Sequence, residues 1–111
     1  MPGELELLFY TEGARTPFLD WLSSLHHLPT VALIRARLNR LRLGNFGDCK
    51  SVGAGVYELR IDFGPGFRIY FGRKRQNVVN LLCGGDKKSQ TRDIRNAQRY
   101  WKDFLHAQNT A

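Results

Sequence analysis

Long apolar runs are missing from this sequence. None approaches the ~20 residues that a helix needs to cross a bilayer. The opening Met1-Pro2-Gly3-Glu4-Leu5 has no basic stretch followed by an apolar one, so no secretory leader is expected. These two absences lead us to expect a cytoplasmic protein with no membrane partner. Cysteine is scarce as well. Cys49 and Cys83 are too few for a disulfide scaffold and do not form a C-x-x-C pair, and both sit among strand-like residues. They are expected to be reduced small hydrophobes.

The remaining absences narrow the chemistry. His26 and His27 lie at the end of an expected helix with no matching cysteine or carboxylate spacing, which leaves no expected metal site. The chain has no phosphate-binding G-x-x-x-x-G-K-[ST] loop, no G-x-S-x-G elbow and no paired catalytic carboxylates, so no cofactor is expected. Repeats, low-complexity runs and linkers are also missing. A single domain over residues 1–111 is expected.

Positive charge is plentiful. Lys and Arg number 17 against 10 Asp and Glu, a net charge of +7. Such an excess on a small domain favours a polyanionic partner, because cations that neutralise phosphates release condensed counterions. With 42% hydrophobic and 12% aromatic residues the chain has enough apolar surface to fold, which excludes a merely disordered basic tail.

Periodicity supplies the elements. Leu5, Leu7 and Phe9 place one face of a strand over 5–10. Thr16-Pro17 reads as a cap and first-turn proline of a helix that carries Phe18, Trp21, Leu22, Leu25 and Leu28. Pro29-Thr30 then starts a second helix, from about Val31 to Leu43, with Ile34, Leu38 and Leu41 inward and Gly44 as its left-handed stop. Arg35, Arg37, Arg40 and Arg42 cover much of the rest, as a solvated face or as a contact for RNA phosphates or an acidic partner. A short strand is expected around Cys49-Lys50-Ser51-Val52.

The clearest pattern follows. Tyr57, Leu59, Ile61 and Phe63 alternate with Glu58, Arg60 and Asp62. After Gly64-Pro65-Gly66, Phe67, Ile69 and Phe71 alternate with Arg68 and Tyr70. Val78 to Cys83 is almost continuously apolar, suited to a central strand ended by Gly84-Gly85. A last helix begins near Ser89–Asp93, with Ile94, Ala97, Trp101, Phe104 and Leu105 on one side. The order β-α-α-β-β-β-β-α implies an α+β domain, a curved antiparallel sheet packed by an N-terminal helical hairpin and a C-terminal helix.

If the odd-numbered hairpin residues face the core, geometry sends Glu58, Arg60, Asp62, Arg68 and Tyr70 to the other face. Arginine grips phosphate through a planar fork, and tyrosine offers a ring for base stacking. The alternative is a polar outer face with arginine–acid pairs across the strands.

The run Gly55 to Phe71 resembles the central hairpin of the RelE/ParE toxin superfamily. Leu81-Leu82-Cys83-Gly84-Gly85-Asp86-Lys87-Lys88-Ser89-Gln90, with Asp93-Ile94, resembles its HigB-like branch of addiction-module killer proteins, often of phage or mobile-element origin. That resemblance implies a toxin paired with a small antitoxin, usually a helix-turn-helix protein. It also implies metal-independent cleavage of messenger RNA on the ribosome, which inhibits translation. Arg60, Arg68 and Lys87 fall on the family's catalytic basic positions. The implied roles are positioning or activating the nucleophile for Arg60, transition-state phosphate for Arg68, and general acid or phosphate ligand for Lys87. Glu58, Tyr70, Lys88, Gln90 and Lys50 are the implied RNA contacts.

The chain departs from the family at two places. Glu58 stands where some members carry a lysine, to act as a base or to pair with Arg60, and Gln90 and Asp93 occupy the stretch where a stacking tyrosine is found. A ParE-like inhibitor of DNA gyrase, or a member that binds its antitoxin without activity of its own, are the alternative readings.

Overall fold

Five strands form one mixed sheet in the order β1-β5-β4-β3-β2. The elements run β1 (Glu6–Phe9), α1 (Pro17–Ser23), α2 (Leu28–Arg42), β2 (Cys49–Ser51), β3 (Val56–Ile61), β4 (Phe67–Gly72), β5 (Val78–Asp86) and α3 (Gln90–Thr110). The computed structural model describes residues 3–110. Met1, Pro2 and Ala111, at the ends of the expected domain, lie outside the described residues.

Strands β2 to β5 pair antiparallel, as the short connections between them imply. β1 does not follow them. It adds to the outer side of β5 in parallel, with Glu6 opposite Val78 and Phe9 opposite Leu81. Period-two patterning fixes which side chains share a face but says nothing about strand direction, so the sheet is mixed where an antiparallel one was expected. β5 is an interior strand, between β1 and β4, and is buried from Val78 to Gly85, in keeping with its apolar run.

The sheet is covered on both faces, and so carries two cores. One holds Leu59, Ile61, Phe67, Ile69, Phe71, Val79 and Leu81 against Phe18 of α1 and Ile34 and Leu41 of α2. The other sets Tyr10, Val56, Tyr70, Leu82 and Cys83 against Ala97, Tyr100 and Trp101 of α3. The result is one compact α+β domain of the RelE-like kind.

Several local expectations shift. α1 stops at Ser23, and Leu28 is the exposed first residue of α2 rather than the last of the α1 stripe, because Pro29 fits the first turn of a new helix. Gly44, at φ +89°, does end α2 in the left-handed region. Gly84 and Gly85 do not end β5. They lie within it because neighbours press on their backbones: a Cβ at Gly84 would fall 2.2 Å from the Trp21 ring, and one at Gly85 1.8 Å from Asp93 Oδ2. Tyr57 and Phe63, expected inside, are 38% and 40% exposed. Tyr57 pairs with Phe71 of β4 on one side but with Ser51, the last residue of the short edge strand, on the other, and Phe63 lies past the end of β3.

Candidate active site

The β3–β4 hairpin places Arg60 directly opposite Arg68. Facing residues on paired strands have Cβ atoms roughly 5 Å apart, so two guanidinium groups start from one patch of sheet. β5 brings in the third cation: its end meets the hairpin tip, where the Lys87 amide donates to the Pro65 carbonyl at 3.4 Å. The three cations line one cleft of about 380 Å³ with Asp48, Asp62, Gly64 and Gly66. Arg60 is about one-third exposed and Lys87 is exposed, whereas only a tenth of the Arg68 side chain meets solvent.

Both arginines are tethered. Arg68 Nη1 donates to the Gly66 carbonyl at 2.6 Å, and Arg60 Nε lies 3.6 Å from the Asp48 carboxylate. The segment that carries Asp48 is itself pinned to β3. The Arg60 amide donates to the Asp48 carbonyl, and Arg37 of α2 donates from Nη1 to the Arg60 carbonyl at 2.8 Å and from Nη2 to the Phe46 carbonyl. Burial lowers the pKa of Arg37, with a smaller push from Arg40. Arg37 thus separates from Arg35, Arg40 and Arg42, which stay exposed, and becomes a strut beneath the cleft.

Behind the arginines sits Glu58, with none of its side chain exposed. Its Oε2 accepts from the Tyr70 hydroxyl at 3.0 Å and from Gln90 Nε2 at 2.8 Å. Arg68 Nε stands 3.8 Å from Oε2, and Arg60 Nε 3.8 Å from Oε1. Tyr70 is held as a neutral phenol: burial raises its pKa first, and the Glu58 charge and hydrogen bond raise it further.

These contacts correct the expectation for the polar sheet face. The register is the one expected, since Glu58, Arg60, Arg68 and Tyr70 do share the side away from the first core. α3, however, roofs most of that side. Tyr70 is completely buried and offers no ring for a base to stack on, and Glu58 has no surface with which to touch RNA. Gln90, at the first turn of α3, spends its amide on Glu58. Lys88 lies apart from Lys87, in a groove with Trp21, Ser89 and Arg92. Lys50 is opposite Glu58 in the strand register but borders a further groove with Phe46, Tyr57 and Arg73. Of the eight residues named from the sequence, Arg60, Arg68 and Lys87 meet in one cleft, Glu58, Tyr70 and Gln90 form its buried backing, and Lys50 and Lys88 lie outside it.

Sequence reasoning missed Asp48, Arg37 and Gly66. Asp48 sits in an irregular glycine-rich stretch, and Arg37 looked like one of four equivalent helix arginines. Gly66 was visible as a turn residue, but its contact with Arg68 was not.

Both cysteines are free. Burial raises both thiols, that of Cys83 up to about 12, so they behave as apolar fillers. Among the described residues, no three His, Cys, Asp or Glu side chains cluster as a metal-binding set, and no helix is long and apolar enough to cross a membrane.

Residues 20–102 match the family model described as phage derived protein Gp49-like (DUF891). A relative from Haemophilus influenzae, described only as an uncharacterized protein, is 52% identical over 81 residues, covering 73% of this chain and 82% of the relative. A match across most of the chain shows the family, and the chain belongs to the phage-derived Gp49-like family, a RelE/ParE-like toxin family of toxin–antitoxin systems.

Proposed function

We propose that this chain is the toxin of a toxin–antitoxin pair, of the HigB-like kind, and that it arrests translation by cutting messenger RNA on the ribosome. The observation that carries this reading is the cleft in which Arg60, Arg68 and Lys87, from three separate segments, converge around a space of about 380 Å³. Two arginines on a rigid hairpin and a lysine at the end of the adjoining strand suit a phosphodiester whose negative charge grows during the reaction.

The chemistry needs only the RNA itself as nucleophile. The ribose 2′-oxygen attacks the adjacent phosphorus and loses its proton, and the bond to the 5′-oxygen of the next nucleotide breaks. The products are a 2′,3′-cyclic phosphate and a free 5′-hydroxyl. Arg68, deep in the cleft and fixed by the Gly66 carbonyl, stabilises the charged phosphorane. Arg60 orients the phosphate, and exposed Lys87 gives a proton to the leaving oxygen. Asp48 and Asp62, the carboxylates on the cleft wall, are the groups within the site that can take the 2′-proton. The buried Glu58 is not.

The cationic cleft also suits an antitoxin that covers it with acidic side chains, and a helix-turn-helix protein is the partner proposed. The test is induction of the chain without a partner gene. Growth arrest should come with cuts inside translated codons, seen by primer extension. Arg68→Ala should fold, lose the cuts, and lower the cleavage rate on the order of 100- to 1,000-fold. Intact transcripts during full arrest would defeat this proposal, and relaxed plasmid DNA in the same cells would point to gyrase.

A further inference from the structure

Arg60 and Arg68 are direct cross-strand partners, and like charges placed so oppose each other. Something must hold them together while their outer edges stay free for a phosphate. We propose that Glu58 is the positioning residue of this site, a buried two-armed carboxylate that keeps both guanidinium groups in the cleft and touches no substrate. The proposal rests on the RNA-cleaving reading above and adds to it the device that builds the site.

Each oxygen of Glu58 serves a different arginine. Oε1 faces Arg60 Nε and Oε2 faces Arg68 Nε, each at 3.8 Å. Both Nε atoms are buried and neither has a hydrogen-bond partner, and Oε1 has none either. The carboxylate therefore acts on the arginines through charge and not through made hydrogen bonds, and a shift below 1 Å on either side would close the contacts. On both arginines it is Nε that lies near Glu58, on Arg60 beside Asp48 at 3.6 Å as well, which leaves the Nη groups for other partners. On Arg68 one Nη is already used by the Gly66 carbonyl, so that group has few directions left.

The carboxylate is itself immobilised from two elements. The Tyr70 hydroxyl reaches it from β4, and the Gln90 amide from the first turn of α3. Neither donor brings a full charge, so the negative charge of Glu58 remains to balance the two arginines. Complete burial keeps water from screening it. This arrangement also accounts for the acidic residue at a sheet position where a cation would add directly to the cleft. A third buried cation beside two opposed arginines would have nothing to balance it.

The test compares the full-length wild-type chain with Glu58→Gln, Glu58→Asp and Gln90→Ala. Arginine Nε–H signals are recorded by ¹⁵N NMR. Single-turnover cleavage is measured on a short messenger RNA carried by ribosomes, together with affinity for the same RNA carrying a 2′-deoxy nucleotide at the cut. Glu58→Gln keeps the shape and can still accept from Tyr70, so it is expected to fold. It should move the Arg60 and Arg68 Nε–H signals and slow cleavage on the order of 100-fold, the usual penalty of a misplacement near 1 Å. Affinity for the uncleavable RNA should stay within about threefold or tighten, because a negative charge behind the cleft is removed. Glu58→Asp should recover part of the rate. Gln90→Ala, which leaves the sheet side chains intact, should shift the same two signals and slow cleavage to a smaller extent, and it carries the test if Glu58→Gln fails to fold.

Unmoved Nε–H signals in a folded Glu58→Gln overturn the proposal. So does a parallel loss of rate and affinity with those signals in place, which would mean that Glu58 meets the RNA itself. If the wild-type chain cleaves nothing, the reading of the site as a nuclease fails. The NMR comparison then still decides whether Glu58 positions the arginines.

Discussion

At the level of single residues, Gly66 is the most exposed point of failure for the cleft. Its φ of +77° lies in the left-handed region, and a Cβ built there would stand 2.7 Å from Arg68 Nη1. Alanine would have to hold a strained backbone, at a cost on the order of 1–3 kcal/mol. It would also push on the guanidinium that the Gly66 carbonyl holds. Gly66→Ala is therefore expected to leave a folded protein with a lower melting midpoint and a cleavage rate down on the order of 100-fold. Gly13, also at positive φ but with open space around its would-be Cβ, is the control. Gly13→Ala should share the strain and keep the rate. Equal rates in both variants would separate Gly66 from the site.

At the level of elements, the sequence was legible wherever burial is one-sided and obscure where two layers meet. The hairpin is the plain case: strict alternation from Tyr57 to Phe71 fixed the register, and with it the side of the sheet on which Arg60, Arg68, Glu58 and Tyr70 lie. The same alternation reads Tyr70 and Glu58 as solvent-facing because polar residues usually are. Here α3 crosses that face, and Tyr70 and Gln90 both donate to the Glu58 carboxylate beneath it. Nothing in strand periodicity announces a second layer. The apolar stripe of α3 does, but only when it is matched to the sheet face that lacks a partner.

The glycine pair shows the same limit. Gly84-Gly85 reads as the end of a strand, and its true neighbours are Trp21 of α1 on one side and Asp93 of α3 on the other. Asp93 is buried, accepts from the Ser89 hydroxyl at the start of α3, and has its carbonyl near the Cys83 thiol. A methyl group at residue 85 would collide with that carboxylate. Gly85→Ala is expected to lift the N-terminus of α3 off β5 and lower stability by about 1–3 kcal/mol. That corresponds to a drop of about 4–8 °C for each kcal/mol in thermal melts. A melting midpoint within error of wild type would mean that α3 seats elsewhere.

For the whole molecule, the net charge of +7 is spread over far more surface than the cleft. Arg35, Arg40 and Arg42 on α2, and Arg92, Arg95 and Lys102 on α3, are all exposed. A diffuse positive surface speeds the approach of any polyanion and raises nonspecific affinity, but it does not choose which phosphate is cut. Salt separates these contributions. Three phosphate contacts on single-stranded RNA, one each for Arg60, Arg68 and Lys87, give a plot of log affinity against log salt a slope of about −2. Raising salt from about 50 to 200 mM should then weaken binding of an uncleavable RNA roughly 20-fold. Lys87→Ala should make the slope shallower by about 0.7, since it removes one cleft contact. Arg95→Ala, on the outer surface of α3, should leave the slope unchanged. A slope near −5, lowered equally by both substitutions, would mean that RNA spreads over the basic surface as a whole, and the three-cation cleft would lose its claim to be where the phosphate is held.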